Sequence, residues 1–249
     1  MAAADARRCL CIIDVQNDFV LPSGGLAVPN GADIIPVINH VRRTRKFDLV
    51  VVCLDWHPFD HFFGSGAPGF APFAQLGAQT IWPDHCMQDS QGAAVHPDLH
   101  VEPTDVVVRC GLSPLTDSYS AFRDNDRSTV SPLLEAAGTA APIRGTLARE
   151  ALSSSSASSS RRAPCSVQIL KAEGIQELYC CGLATEFCLL FTALDARILL
   201  EKSCEVFVLQ DCCRGITEDG VAGAKEKLAL EQVALVRAAD DDPVFGRIP

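Results

Sequence analysis

Short uninterrupted runs of apolar residues alternate along this chain with stretches of helical periodicity. The apolar runs lie at residues 9–13, 49–54, 106–108, 178–181, 206–209 and 233–236. Helical spacing follows Asp33 (Ile34, Ile35, Ile38 and Val41) and returns at about 186–202 and 221–230. Strands without polar alternation are buried on both faces, as in a parallel sheet covered by helices. The pattern therefore predicts an α/β fold, a three-layer α/β/α sandwich with a mostly parallel, doubly wound sheet.

One segment interrupts this order. Residues 136–164 include seven serines within 153–160 and no large apolar residue after Leu152. Such a composition cannot build a core. We expect a single domain over residues 1–249, with a surface insertion at about 136–164.

Composition and charge argue against several classes of protein. The 249 residues are 48% hydrophobic and 21% charged, and the net charge is −10. A chain this acidic is not expected to bind nucleic acid or an anionic membrane, because both require a basic surface. The residues before Asp14 are too few and too polar for a signal peptide. The twelve cysteines form no Cys-x-x-Cys pair, so we expect mostly reduced core thiols and a cytoplasmic or other reducing compartment.

Chemically active residues follow several of the predicted strands. Asp14, Asp55 and Cys110 end the first three apolar runs, His57 follows Asp55, and Cys188 comes shortly after the fourth run. The carboxyl ends of parallel strands meet at one edge of the sheet, where ligands bind. A single aspartate at a strand end is commonly a turn or cap residue. Five residues with reactive or ligating side chains at one edge of the sheet instead predict a functional site.

Two kinds of chemistry are suggested by these residues. Asp55 and His57, with His61 and His85 nearby, are ligands that suit zinc, iron or manganese, although spacing alone equally allows a surface loop. Cys188 begins a predicted helix, where the helix dipole stabilises a thiolate and free N–H groups bind an oxyanion. A buried structural cysteine beside Leu189 fits the composition as well.

Five ordered sequence blocks together resemble a known family. The blocks are Asp14-Val-Gln-Asn-Asp-Phe19, Asp55-Trp-His-Pro58, Trp82-Pro-Asp-His-Cys86, Asp117-Ser-Tyr-Ser-Ala-Phe122 and Gly182-Leu-Ala-Thr-Glu-Phe-Cys188. They are similar to the motifs of the nicotinamidase/pyrazinamidase group of isochorismatase-like hydrolases, from about Leu10 to Val236 without the serine-rich insertion. The resemblance implies a metal-containing amidohydrolase that converts nicotinamide to nicotinate and ammonia in NAD salvage and also accepts pyrazinamide.

The resemblance also implies a role for each matching residue. Cys188 would be the nucleophile and Asp14 its acid/base partner. The Leu183–Ala184 peptide would be cis, and the N–H groups of Ala184 and Cys188 would form the oxyanion hole. One divalent ion, zinc before iron or manganese, would be bound by Asp55, His57 and His85, with His61 as a further candidate ligand. The aromatic walls around a pyridine ring would be Phe19, Trp82 and Tyr119.

One residue departs from the family pattern. The family's catalytic lysine precedes the glycine of the third-strand block, and Cys110 stands at that position here, after Arg109. Arg109 should point to the opposite side of the strand unless the strand end is bulged. Besides the amidase, two alternatives remain open: a catalytically silent relative that binds a pyridine ligand or a partner, and, as a weaker fit, another isochorismatase-like hydrolase. The sequence leaves the oligomeric state open, a homo-oligomer included.

Overall fold

The structure is a computed structural model that describes residues 6–61, 72–76, 79–127, 133–136, 166–238, 245 and 248. The serine-rich stretch at 153–160 and almost all of the expected insertion lie outside these residues. Nine strands are present within the described ranges: β1 (Arg8–Ile13), β2 (Leu49–Asp55), β3 (Gln75–Leu76), β4 (Gln79–Thr80), β5 (Val106–Cys110), β6 (Leu133–Ala136), β7 (Glu177–Gly182), β8 (Glu205–Cys213) and β9 (Ala234–Val236).

Seven of these strands form the main sheet, in the order β6-β5-β2-β1-β7-β8-β9. Six of them run parallel, and the edge strand β6 pairs antiparallel with β5. The chain builds outward from β1 through β2 and β5 on one side, and then through β7, β8 and β9 on the other. This order confirms the predicted mostly parallel, doubly wound sheet. Its topological switch point lies between β1 and β7, where ligands of open α/β sheets bind.

Five α-helices pack around the sheet in the described part of the chain: α1 (Asn17–Val20), α2 (Ile34–Thr44), α3 (Ser166–Ala172), α4 (Leu190–Leu200) and α5 (Glu218–Leu230). The apolar stripe of α2 is buried at Ile34, Ile35, Ile38 and Val41, as its spacing predicts, and basic residues occupy its last turn. A π-helical turn, Thr185–Leu189, connects β7 to α4.

The structure differs from the predicted elements mainly at their ends and in the shortest pieces. β8 extends to Cys213, four residues beyond the predicted end, and α5 begins at Glu218 because Thr217 caps it, its side chain accepting the Gly220 N–H at 3.0 Å. The antiparallel β3–β4 pair, β6 and the helices α1 and α3 are not predicted, because elements of two to seven residues give too little periodicity.

The core is apolar and rich in thiols. Every cysteine in the described part of the chain is buried and forms no disulfide, which agrees with the expectation of reduced core residues. Within the described ranges, no helix has both the length and the apolar character needed to cross a membrane.

Candidate active site

The switch point brings the end of β1 beside the turn that follows β7. Asp14 adopts a left-handed conformation (φ 53°), and its N–H donates to the Cys53 carbonyl at 3.0 Å. The π-helical turn after β7 carries Cys188, and the Leu183–Ala184 peptide that precedes this turn is cis, as the resemblance implies. One carboxylate oxygen each of Asp14 and Asp55 and the Cys188 sulfur lie within 4.8 Å of one another.

Asp14 and Cys188 lie next to each other in a buried environment, with an Asp14 carboxylate oxygen within 4.8 Å of the Cys188 sulfur. Burial raises the pKa of the Asp14 carboxyl well above its usual range, and the nearby Asp55 carboxylate raises it further. Burial likewise raises the pKa of the Cys188 thiol, and the charges of Asp14 and Asp55 add to this effect. Both shifts favour the protonated forms, so a thiolate forms in this pocket only if a neighbouring base such as the Asp14 carboxylate takes the thiol proton.

A candidate metal centre lies next to this pair. The Nε2 atoms of His57 and His85 each lie 3.5 Å from Oδ2 of Asp55. The Nδ1 atoms are held by backbone carbonyls, that of His57 by Gly111 at 3.1 Å and that of His85 by Pro83 at 2.7 Å. Gly111 has a φ of +67°, and a Cβ there would lie 2.5 Å from His57 Nδ1. Glycine thus makes room for the imidazole.

These three side chains fit a divalent ion. Imidazoles whose Nδ1 atoms donate to carbonyls present Nε2 as the ligand atom, the usual outer-shell arrangement of histidine ligands. Nε2 of His57 is buried without a hydrogen-bond partner among the described residues. Distances of 3.5 Å are too long for strong hydrogen bonds. They match the roughly 3.4 Å that separates two ligands placed about 2.1 Å from a tetrahedral ion.

His61 lies beside this triad rather than in it. Its ring centroid is 4.3 Å from that of His57, and it forms a second ligand-type group with His57 and Asp117. Burial, together with the neighbouring imidazoles of His57 and His85, lowers the pKa of His61 to about 3. His61 is therefore neutral at pH 7 and keeps a lone pair for a ligand.

The predicted aromatic residues line one pocket above the thiol and the triad. Phe19, Trp82 and Tyr119 all contribute to its wall, and Trp82 Nε1 donates to the Tyr119 hydroxyl at 2.9 Å. Burial raises the pKa of that hydroxyl well above its usual range, so Tyr119 stays neutral. The sequence reasoning missed five further lining residues: Leu26, Val28, Asp117, Phe187 and Ile216. Of these, Phe187 is next to Cys188 and Asp117 begins the fourth of the five family-like sequence blocks. The other three are apolar loop residues, and nothing in the sequence around them indicates a binding role.

The structure places Cys110 and Arg109 on opposite sides of β5. Cys110 is buried in the same apolar cluster as Val108, and it pairs in regular register with Asp55. The Arg109 guanidinium carbon lies 4.1 Å from the centroid of the Trp56 ring, and Val107, which shares its side of the strand, belongs to a separate apolar cluster. The strand has no bulge at this point, so Arg109 does not take the position of the family's lysine.

Comparisons with known proteins identify the family of this chain. The family model described as "Isochorismatase domain" matches residues 8–131 and 164–240. The nicotinamidase of Acinetobacter baylyi is 34% identical over 221 residues, which cover 86% of this chain and 85% of that protein. The nicotinamidase of Escherichia coli (strain K12) is 35% identical over 215 residues, covering 84% of each chain.

Solved structures show the same likeness. A nicotinamidase/pyrazinamidase from Acinetobacter baumanii superposes with a TM-score of 0.74 at 30% identity, covering 96% of this chain and 99% of that one. A pyrazinamidase of Pyrococcus horikoshii, solved in complex with zinc, has a TM-score of 0.64 at 26% identity and covers 93% and 99% of the two chains. With the matched domain spanning both sides of the switch point, the chain belongs to the isochorismatase family.

Proposed function

We propose that this protein is a nicotinamidase, a cysteine amidohydrolase that converts nicotinamide to nicotinate and ammonia in NAD salvage. One observation carries the proposal. Cys188 and two candidate metal ligands, Asp55 and His85, line the same aromatic pocket, and Asp14 lies next to the thiol, in a chain 34–35% identical to curated nicotinamidases. An amide is a poor electrophile, so its hydrolysis needs an activated nucleophile and fixed donors for the developing oxyanion.

The first half of the reaction uses Cys188 and Asp14. The carboxylate of Asp14 takes the thiol proton, and the sulfur attacks the carboxamide carbon to form a tetrahedral intermediate. The N–H groups of Ala184 and Cys188 stabilise its oxyanion, because both residues line the pocket, Ala184 just before the π-helical turn and Cys188 within it. Asp14 then gives the proton to the leaving nitrogen, and the C–N bond breaks to release ammonia and leave a thioester.

The second half reverses the roles of the same residues. Asp14 removes a proton from a water molecule, which attacks the thioester carbonyl. The carbon–sulfur bond breaks, Cys188 recovers its proton, and nicotinate leaves. The raised pKa of Asp14 suits a group that must accept and donate the same proton in one cycle.

Asp55, His57 and His85 would hold one divalent ion, with His61 at its margin. When bound, this ion supplies a Lewis-acid contact for the pyridine nitrogen, directly or through its waters. Two imidazoles and one carboxylate favour zinc, and iron or manganese would also fit. The zinc complex of the Pyrococcus horikoshii pyrazinamidase supports this choice.

The aromatic walls position the ring so that the carboxamide faces Cys188. Phe19, Trp82 and Tyr119 offer flat apolar surfaces, and the hydrogen bond between Trp82 and Tyr119 holds two of them in place. A pocket of this kind rejects an isosteric ring poorly, so pyrazinamide should also be hydrolysed.

The many buried cysteines that form no disulfide fit a reducing compartment such as the cytoplasm.

Ammonia release from nicotinamide tests the proposal. We expect the metal-loaded protein to release one ammonia for each nicotinate formed, and we expect Asp14→Asn to abolish turnover while nicotinamide still binds. Tight nicotinamide binding by the parent protein without any ammonia would instead identify a catalytically silent relative, which the cysteine at position 110 makes a real alternative. No binding and no turnover would contradict both.

A further inference from the structure

The turn that carries Cys188 is attached to the loop before α5 by its own polar groups. The Glu186 Oε1 atom accepts hydrogen bonds from the N–H groups of Ile216, at 2.9 Å, and Thr217, at 3.0 Å. The Thr185 N–H donates to the Arg214 carbonyl at 2.9 Å. Two consecutive residues of the turn thus bind the backbone of residues 214–217, which we call the anchor loop.

The Glu186 carboxylate fits closely at this place. A Cβ on Gly215 would lie 2.3 Å from Glu186 Oε2, and a Cβ on Gly220 would lie 2.8 Å from Oε1. Two glycines therefore provide the space that the carboxylate fills. It lies at the start of the 13-residue helix α5, where unpaired N–H groups and the helix dipole stabilise negative charge.

One residue of the anchor loop, Ile216, also belongs to the substrate pocket. Ile216, whose N–H is held by Glu186, lines the pocket together with Ala184, Phe187 and Cys188. One carboxylate therefore connects the turn that bears the thiol with another part of the pocket wall. A displacement of about 1 Å between reacting groups can cost on the order of a hundredfold in rate, so this connection affects catalysis although Glu186 does not touch the substrate.

We propose that Glu186 is a positioning residue, which fixes the Cys188 turn and the Ile216 wall relative to each other by binding the anchor loop. The inference rests on the proposed function, because it takes Cys188 as the nucleophile. It predicts that the length of the side chain at position 186 matters more for turnover than its charge. Glu186→Gln keeps an oxygen that accepts both N–H groups, whereas Glu186→Asp keeps the charge but is too short to accept both.

The test compares Glu186→Ala, Glu186→Asp and Glu186→Gln with the metal-loaded parent. Steady-state ammonia release gives kcat and KM, peptide mass spectrometry gives the rate of iodoacetamide labelling at Cys188, and thermal melting gives stability. We expect Glu186→Ala to lose about 10- to 100-fold in kcat, Glu186→Asp to lose less, and Glu186→Gln to stay within about threefold of the parent. Labelling of the buried Cys188 should change in the opposite direction and become faster as the turn loosens.

Thr217→Ala is the matched control. It removes the side-chain cap that accepts the Gly220 N–H at the same helix end and leaves the Glu186 contacts intact. We expect it to lower the melting temperature without changing kcat or the labelling rate. Equal losses of kcat in Thr217→Ala and Glu186→Ala would overturn the inference, as would unchanged kcat and labelling in Glu186→Ala and Glu186→Asp. A parent that releases no ammonia would refute the proposed function instead, and the labelling rates would still decide whether Glu186 holds the turn.

Discussion

Replacing Cys110 by lysine should raise the rate of nicotinamide hydrolysis. Cys110 ends β5 beside Asp55, and the end of β1 lies one strand beyond. Two strand spacings amount to about 10 Å, a gap that the four-carbon stem of lysine largely bridges. The ammonium would then lie near Asp14 and Cys188, where burial and neighbouring carboxylates now raise the pKa of the thiol.

The size of the effect follows from the charge. An opposite charge nearby lowers the pKa of a thiol by about 1–3 units. A thiolate of lower pKa is also a weaker nucleophile, which cancels roughly half of the gain on a logarithmic scale. A net increase of about 3- to 30-fold in kcat remains, and tenfold corresponds to about 1.4 kcal/mol of barrier. The larger side chain in a packed core should cost about 1–3 kcal/mol of stability, which lowers the melting temperature by several degrees.

The assay is steady-state ammonia release for the parent, Cys110→Lys and Cys110→Met, with iodoacetamide labelling of Cys188 at mildly acidic pH. Cys110→Met adds bulk without charge, so it should lose stability and gain no activity, whereas Cys110→Lys should gain activity and label faster. If Cys110→Met gains as much, packing and not charge is responsible. If the parent is already as fast as Cys110→Lys, another cation supplies the charge and our placement of Arg109 is wrong.

Three further predictions concern the metal, the pocket and the insertion. Changing His57 or His85 to alanine should abolish stoichiometric metal binding, measured by elemental analysis, and raise KM, while the fold survives because its core does not depend on the ion. Trp82→Phe should raise KM several-fold with little change in kcat, measured by steady-state kinetics, because it removes the hydrogen bond to Tyr119. Deleting residues 153–160 should leave the melting temperature and turnover nearly unchanged, measured by calorimetry and ammonia release, because loop length affects closure entropy only weakly.

Each of these predictions has a clear contrary result. Full metal occupancy in both histidine variants would refute the ligand assignment, and the exposed His40 provides a matched alanine control that should keep its metal. A Trp82→Phe variant that loses kcat instead of binding would show that the indole acts on the reacting groups. A melting temperature lowered by many degrees after the deletion would show that the serine-rich segment packs on the core.

The sheet was predictable because its strands are uninterrupted apolar runs, and that prediction is confirmed. The run at 49–54 shows the reason: β2 is buried on both faces, so its hydrophobic pattern has one interpretation. The aspartates and cysteines near the strand ends could be proposed as site residues for the same reason. Once the parallel strands are predicted, the topology brings Asp14 and Cys188 to one edge of the sheet. Their assigned roles remain predictions that the proposed experiments test.

Contacts between distant loops could not be predicted in this way. Ile216 lines the pocket and Glu186 binds the loop that carries it, but hydrogen bonds between side chain and backbone leave no periodic pattern in the sequence. Gly111 is a similar case, because its role appears only when the His57 ring is found against it. The side on which Arg109 lies was predictable from strand alternation, whereas its contact with Trp56 was not.

The most direct test of the account is ammonia release from nicotinamide by Cys188→Ala, compared with Cys110→Ala and the parent protein, all loaded with metal. Both changes remove a buried thiol at the same edge of the sheet, but of the two it is Cys188 whose sulfur lies within 4.8 Å of the Asp14 and Asp55 carboxylates and which follows the cis peptide. We predict that Cys188→Ala releases no ammonia above background and that Cys110→Ala remains close to the parent. Full activity in Cys188→Ala would contradict the central claim that Cys188 is the nucleophile.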